Sequence, residues 1–262
     1  MPEPHLTCKP RTRHLFCHQA VDTSLFDPAK HTPLPLPLPQ LPSPQPREPY
    51  VFLSVFKWEK RKGWDVLLEA YLREFSRTDP VLLVVKTRPF YSESNFDAMI
   101  ESFGARLGVN VGESARIHVL DEELPMHALP RLYRAADALV APSRGEGWGR
   151  PHAEAMAMGL PVLATNWSGN TAFMTSQNSF PIAINGTAPV PGGHGNWALP
   201  SVAHLRRTMR FVFENRAAAV AVGARARRDM VEKYSPEPVA AIVLEQLKAI
   251  EGKLATKEHG EL

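Results

Sequence analysis

Cysteine is almost absent from this chain. Its 262 residues hold two, Cys8 and Cys17, too few for a disulfide framework. His5, His14 and His18 lie near them, but the spacing fits no standard zinc pattern. Long apolar runs are also lacking. Nothing approaches the roughly 18 residues of a membrane span, and the opening MPEPHLTCKP has no apolar core of a signal peptide. No membrane span and a cytoplasmic location are therefore expected, and the Asn-X-Ser/Thr matches at Asn166 and Asn185 are read as chance. Charge of one sign is scarce too: 30 basic against 27 acidic residues leave +3, which gives no field to draw nucleic acid. No internal repeat is visible.

Proline, by contrast, is plentiful and uneven. Eight of the 25 prolines fall between Pro33 and Pro49. Proline fixes φ and has no amide hydrogen, so residues 1–49 read as a disordered segment whose proline tract is extended, solvated and unpacked. A spacer is the plain reading. A proline-rich ligand for a partner's aromatic groove, over 33–49, is the other.

From Tyr50 the texture changes. YVFLSVF, VLLVVKT (81–87), ARIHVL (115–120), DALVAPS, LPVLAT (160–165) and FPIAI (180–184) are short apolar runs that read as buried strands. Between them lie helical patterns. Val66, Leu67, Ala70, Tyr71 and Phe75 share one face, a second helix spans 96–107 before Gly108, and a third spans 126–136. Continuous apolar strands alternating with amphipathic helices predict an α/β fold, a doubly wound parallel sheet of Rossmann type, over 50–235. Residues 202–254 read as helix throughout.

One stretch carries chemistry: SRGEGWGRPHAEAMAMG (143–159) follows the fourth strand. Ligands of doubly wound sheets sit where strands end and helices begin. Gly145, Gly147 and Gly149 let backbone approach a ligand, Pro151 suits a first helical turn, and the helix start attracts phosphate. Glu146 and Glu154 add two carboxylates, which accept hydrogen bonds from hydroxyls. Phosphate flanked by two polyols is the layout of a nucleoside diphosphate sugar. The plainer alternative is an ordinary turn with a glutamate favoured by the helix dipole.

GEGWGRPHAEAMAMGLPVLAT resembles the donor-site signature of retaining glycosyltransferases of the group-one (family four) class, which have the GT-B fold. VDTSLFDP (21–28), SVFKWEKRKGWDVLLEAY (54–71) and LPRLYRAADALVAPS (129–143) resemble three further stretches of that family, in its order. The resemblance implies that Glu146 contacts the transferred sugar and Glu154 holds the ribose. Gly147, Trp148 and Gly149 would offer backbone amides, with Arg150 beside them, and Lys62 would neutralise the diphosphate leaving group. Leu120 to Leu124 resemble the loop that borders the nucleobase. Six residues before Lys62 the family has arginine and this chain has Phe56. Lys57 or Arg61 would then supply the second cation. Trp148 and Trp167 either stack on a sugar or pack inside. No cofactor is implied, and no metal, since no aspartate pair stands where it could hold a diphosphate-bridging cation.

The implied partners are a UDP- or GDP-type sugar donor and an unknown acceptor. The linker-like VDTSLFDP arrives at residue 21, which predicts a donor-binding half without the acceptor domain and with little transfer of its own. Residues 236–262 resemble the family's C-terminal bracing helix and tail. Without a second domain, Val239, Ile242, Val243 and Leu247 would be partly exposed.

Overall fold

The structure, a computed structural model, describes residues 19–38, 49–90 and 94–258, with side chains through 251. Its centre is a parallel sheet of six strands: β1 (Tyr50–Val55), β2 (Val81–Lys86), β3 (Arg116–Leu120), β4 (Ala138–Ala141), β5 (Val162–Thr165) and β6 (Phe180–Ile182). They lie in the order β3-β2-β1-β4-β5-β6, every neighbouring pair parallel. The winding direction therefore reverses between β1 and β4, which leaves a crevice at their carboxyl ends.

Alternation along each strand feeds two core layers. Tyr50 and Phe52 of β1 join one, and Val51 and Leu53 join the other. Helices α1 (Trp64–Glu74), α2 (Phe96–Leu107) and α5 (Val202–Glu214) cover the first layer through Leu67, Ile100 and Met209. Helices α3 (Leu129–Arg134), α4 (Arg150–Ala157) and α6 (Arg216–Lys233) cover the second through Leu132, Met156 and Met230. Burying each such side chain stabilises the fold by ~1.5–3 kcal/mol, so strands apolar on both faces gain twice over. This is the doubly wound α/β architecture expected.

Three features differ from expectation. First, FPIAI is not one strand. β6 stops at Ile182, and Ile184 opens an antiparallel hairpin of β7 (Ile184–Pro189) and β8 (Asn196–Pro200). Its tip is glycine-rich, and the strands carry too little apolar alternation to announce themselves.

Second, residues 19–38 are ordered and dock on the domain through a few side chains, while the prolines of the tract at 33, 35 and 37 stay exposed. Val21 and Phe26 are buried in the second layer, and the Val21 amide donates to the Tyr234 carbonyl at 2.9 Å. The first half of the proline tract lies along α3: Leu34 donates its amide to the Arg131 carbonyl (2.9 Å), and Leu34 and Leu36 rest on the core. The prolines cannot donate, but the alternating leucines can, and their side chains share one face. The remainder of the tract, 39–48, and the Cys8–Cys17 region lie outside the described residues.

Third, in the last helix, α7 (Pro236–Glu258), Val239 is buried where partial exposure was expected; Ile242 and Val243 are half-buried and Leu247 is exposed, as expected, along with Leu244 and Ile250. Among the described residues no helix is long and apolar enough to cross a membrane.

Candidate functional site

The crevice between β1 and β4 brings together two loops whose paired residues, such as Lys62 and Glu146, are 84 positions apart in sequence. Residues 56–63 follow β1, and residues 142–149 follow β4. They touch closely: Gly63 has φ +72°, and a Cβ there would lie 2.0 Å from the Pro142 carbonyl oxygen. Only glycine fits both the backbone angle and the space. Gly63 also ends the short 3-10 turn Lys60–Lys62 and caps the start of α1.

Glu146 is the centre of the charge. Both carboxylate oxygens accept from Lys62 Nζ at 2.8 Å, and one accepts from an Arg61 guanidinium nitrogen at 3.2 Å. The same Arg61 nitrogen donates to the Gly145 carbonyl (2.7 Å), while the other pairs with Glu59 (2.6 Å). Burial alone would raise the Glu146 carboxyl; His152, Lys62 and Arg61 outweigh it and hold it below the usual glutamate range. The loop after β5 grips the Glu146 backbone. Ser168 Oγ accepts from its amide (2.8 Å), and Gly169 donates to its carbonyl (3.0 Å). Ser168 is the single non-glycine with positive φ among the described residues, at 63°. A Cβ on Gly169 would lie 2.0 Å from the Gly147 carbonyl oxygen. Strain concentrated beside a loop of this kind marks a geometry the fold over-determines.

Glu154 lies in α4, almost enclosed. Its Oε2 accepts from the buried Tyr133 hydroxyl at 2.9 Å, and Arg150 Nε lies 3.6 Å from Oε1. Burial pushes its carboxyl above the ordinary range. His152, also in α4, is fully buried, and neither ring nitrogen has a hydrogen-bond partner among the described residues. Burial lowers it to about 4, so it is neutral at pH 7. Gly149 leaves room for it: a Cβ there would sit 2.9 Å from His152 Nδ1. Gly147 faces open space, with nothing within 4 Å of where a Cβ would stand.

The expected residues divide. Glu146, Lys62, Arg61 and Gly147 meet at the mouth of the crevice, with Gly149, Arg150 and Glu154 on the helix beside it. Lys57 is turned elsewhere, its Nζ 5.0 Å from the centre of the Phe90 ring. Phe56, standing where arginine was expected, packs on the first core layer. Trp148 is half-buried against Phe173 (4.8 Å) and Tyr234 (5.8 Å), which favours packing for that side chain. Trp167 is half-buried. Leu120 ends β3, and Leu120 and Leu124 both rest on the second layer. Tyr133, Arg144, His152 and Ser168 were not anticipated. Tyr133, Arg144 and His152 lie inside stretches singled out in the sequence, but only the fold shows whom they and Ser168 touch. Among the described residues no three His, Cys, Asp or Glu side chains converge as a metal site.

A family model described as glycosyl transferases group 1 matches residues 48–187, more than half of the chain. The chain belongs to that family. Among curated relatives, the D-inositol 3-phosphate glycosyltransferase of Rhodococcus opacus (strain B4) is 35% identical over 128 residues, 47% of this chain and 27% of that protein. The lipopolysaccharide core biosynthesis mannosyltransferase LpsB of Rhizobium meliloti (strain 1021) is 33% identical over 104 residues, 36% of this chain and 30% of that one. The chain thus spans less than a third of these two relatives. Solved structures agree on the fold. HepE of Anabaena, in complex with UDP and glucose, superposes with a TM-score of 0.63 at 15% identity, over 89% of this chain and 55% of HepE. The C-terminal domain of the group 1 protein LpcC of Francisella tularensis gives 0.60 at 19% identity, over 82% of this chain and 99% of that domain.

Proposed function

We propose that the crevice binds a nucleoside diphosphate sugar of the UDP or GDP type and serves transfer of its hexosyl group, with retention, to an acceptor still to be found. The observation that carries this reading is the convergence of Lys62, Arg61 and Glu146 at the switch point, beside the start of α4. Departure of the sugar leaves charge on the diphosphate, and Lys62 and Arg61 are the cations placed to stabilise it. Arg61, not Lys57, takes the second position. Glu146 accepts from hydroxyls of the transferred sugar, and Glu154 from those of the ribose, with Arg150 at the helix start. Leu120 to Leu124 border the base.

Calorimetry of the purified chain with UDP, GDP, UDP-glucose and GDP-mannose tests this. Binding of one nucleotide series, weakened by Lys62→Ala and Glu154→Ala, is expected. No binding at millimolar ligand, or indifference to Lys62→Ala, overturns the reading. The anomeric configuration of any product, read by NMR, tests retention. A second reading is a donor-binding unit with little transfer alone, favoured by the 99% coverage of a C-terminal domain solved by itself. Robust transfer by the purified chain would exclude it.

A further inference from the structure

The turn Lys60–Lys62 places three cations in succession, with no side-chain cap at its start. Its own hydrogen bonds are two, Lys62 amide to Glu59 carbonyl (3.0 Å) and Gly63 amide to Lys60 carbonyl (3.1 Å). Three like charges on so short a turn repel one another, and something must hold them in register.

Arg144 does so from the opposite loop. One guanidinium nitrogen donates to the Lys60 carbonyl (2.7 Å) and to Asp65 Oδ1 (2.8 Å), and the other donates to Asp65 Oδ2 (2.8 Å). Its backbone amide donates to the Arg61 carbonyl (2.7 Å), and its carbonyl accepts from the Ala198 amide of β8 (2.9 Å). Asp65, in the first turn of α1, also accepts from Lys60 Nζ (2.6 Å). One residue therefore ties the cationic turn, the Glu146 loop and the β7–β8 hairpin together. Arg144 is buried, and its guanidinium nitrogens point to the turn and to Asp65. It acts through other groups.

We propose that Arg144 is a positioning residue, which with Asp65 sets Lys62 and Arg61 where a donor's diphosphate meets them. This rests on the nucleotide-sugar reading of the crevice. The planar fork matters, because lysine has a single nitrogen and cannot span Asp65 and the Lys60 carbonyl with the same geometry.

The experiment is a double-mutant cycle on UDP and GDP affinity, using Arg144→Lys, Lys62→Ala and the pair. Arg144→Lys should weaken binding about tenfold, the scale of one lost charge-assisted hydrogen bond. In the Lys62→Ala background the same change should cost less than about twofold, because two groups acting as one unit are not additive. Thermal unfolding should show the loss of the brace equally in both backgrounds. If Arg144→Lys does not fold, Asp65→Asn, which keeps the bond to the Lys60 carbonyl, is run through the same cycle with the same expectation. Failure of the wild-type chain to bind either nucleotide overturns the site reading itself. Wild-type binding that is sensitive to Lys62→Ala, with the brace variant either unaffected or fully additive, overturns the positioning role alone.

Discussion

If the crevice takes the proposed donor, Glu146 and the donor's diphosphate would compete for the same cation, so Glu146→Gln should tighten the binding of free UDP or GDP. Lys62 Nζ lies 2.8 Å from both carboxylate oxygens, and the side chains are 16% and 8% exposed. Arg61 is a third exposed and 3.2 Å away, so solvent screens most of its share. Counting Lys62 alone, a charge-assisted hydrogen bond between such partly buried groups is worth about 1.5 kcal/mol net. The substitution keeps the side chain's size and one acceptor oxygen but removes its charge, which frees part of that hold on Lys62 for the incoming phosphates. The expected gain is a few-fold in affinity for the free nucleotide, with about tenfold as its upper bound. The sugar-bearing form should gain less, because on the proposed reading Glu146 would also meet the sugar hydroxyls. Calorimetry with the nucleotide and its matching nucleotide sugar, on wild type and variant, reads both. Unchanged affinity would mean that Lys62 serves carboxylate and phosphate together, and weaker affinity would mean that Glu146 itself supports the nucleotide. Either result refutes the competition argument.

Three further outcomes follow from the geometry. His152 is pushed down to about 4 from 6.5, so as pH falls below 6.5 the unfolded chain takes up a proton that the native chain refuses, and stability drops until about pH 4. The loss is about 3 kcal/mol. His152→Leu should remove it, seen as a narrowing stability difference in urea titrations between pH 7 and 4.5, and parallel pH curves would contradict it. Gly169→Ala puts a Cβ 2.0 Å from the Gly147 carbonyl oxygen. Forcing the two loops apart should cost about 1–3 kcal/mol in thermal melts and weaken nucleotide binding as well; a neutral variant would show that the loops separate freely. Tyr133→Phe removes the hydroxyl that donates to buried Glu154. It should lower stability at pH 7 by about 1–3 kcal/mol, with a smaller loss at pH 4 where Glu154 is protonated, and a pH-independent effect would mean packing alone is involved.

The fold and the candidate loops were legible in the sequence because the signals are local. Strands buried on both faces need unbroken apolar runs, and helices between them need a 3.6-residue stripe, so Tyr50–Val55 and Trp64–Glu74 read directly. Gly63 and Gly108 mark helix boundaries through their left-handed backbone. The hairpin from Ile184 to Pro200 was not legible, since its half-exposed strands carry no such stripe. Nor was the docking of Val21, Phe26 and Leu34, which depends on grooves that exist only once α3 and α6 are in place.

The sequence alone determined that a glycine-rich turn with two glutamates stands at a strand end, and that a cationic turn stands at another. Tertiary structure alone decided that these two turns meet, that Arg61 and not Lys57 faces Glu146, and that Arg144, Tyr133 and Ser168 hold the arrangement. The reason is range: propensity and periodicity act between residues a few positions apart, whereas the pairing of residue 62 with residue 146 is set by strand order across the sheet.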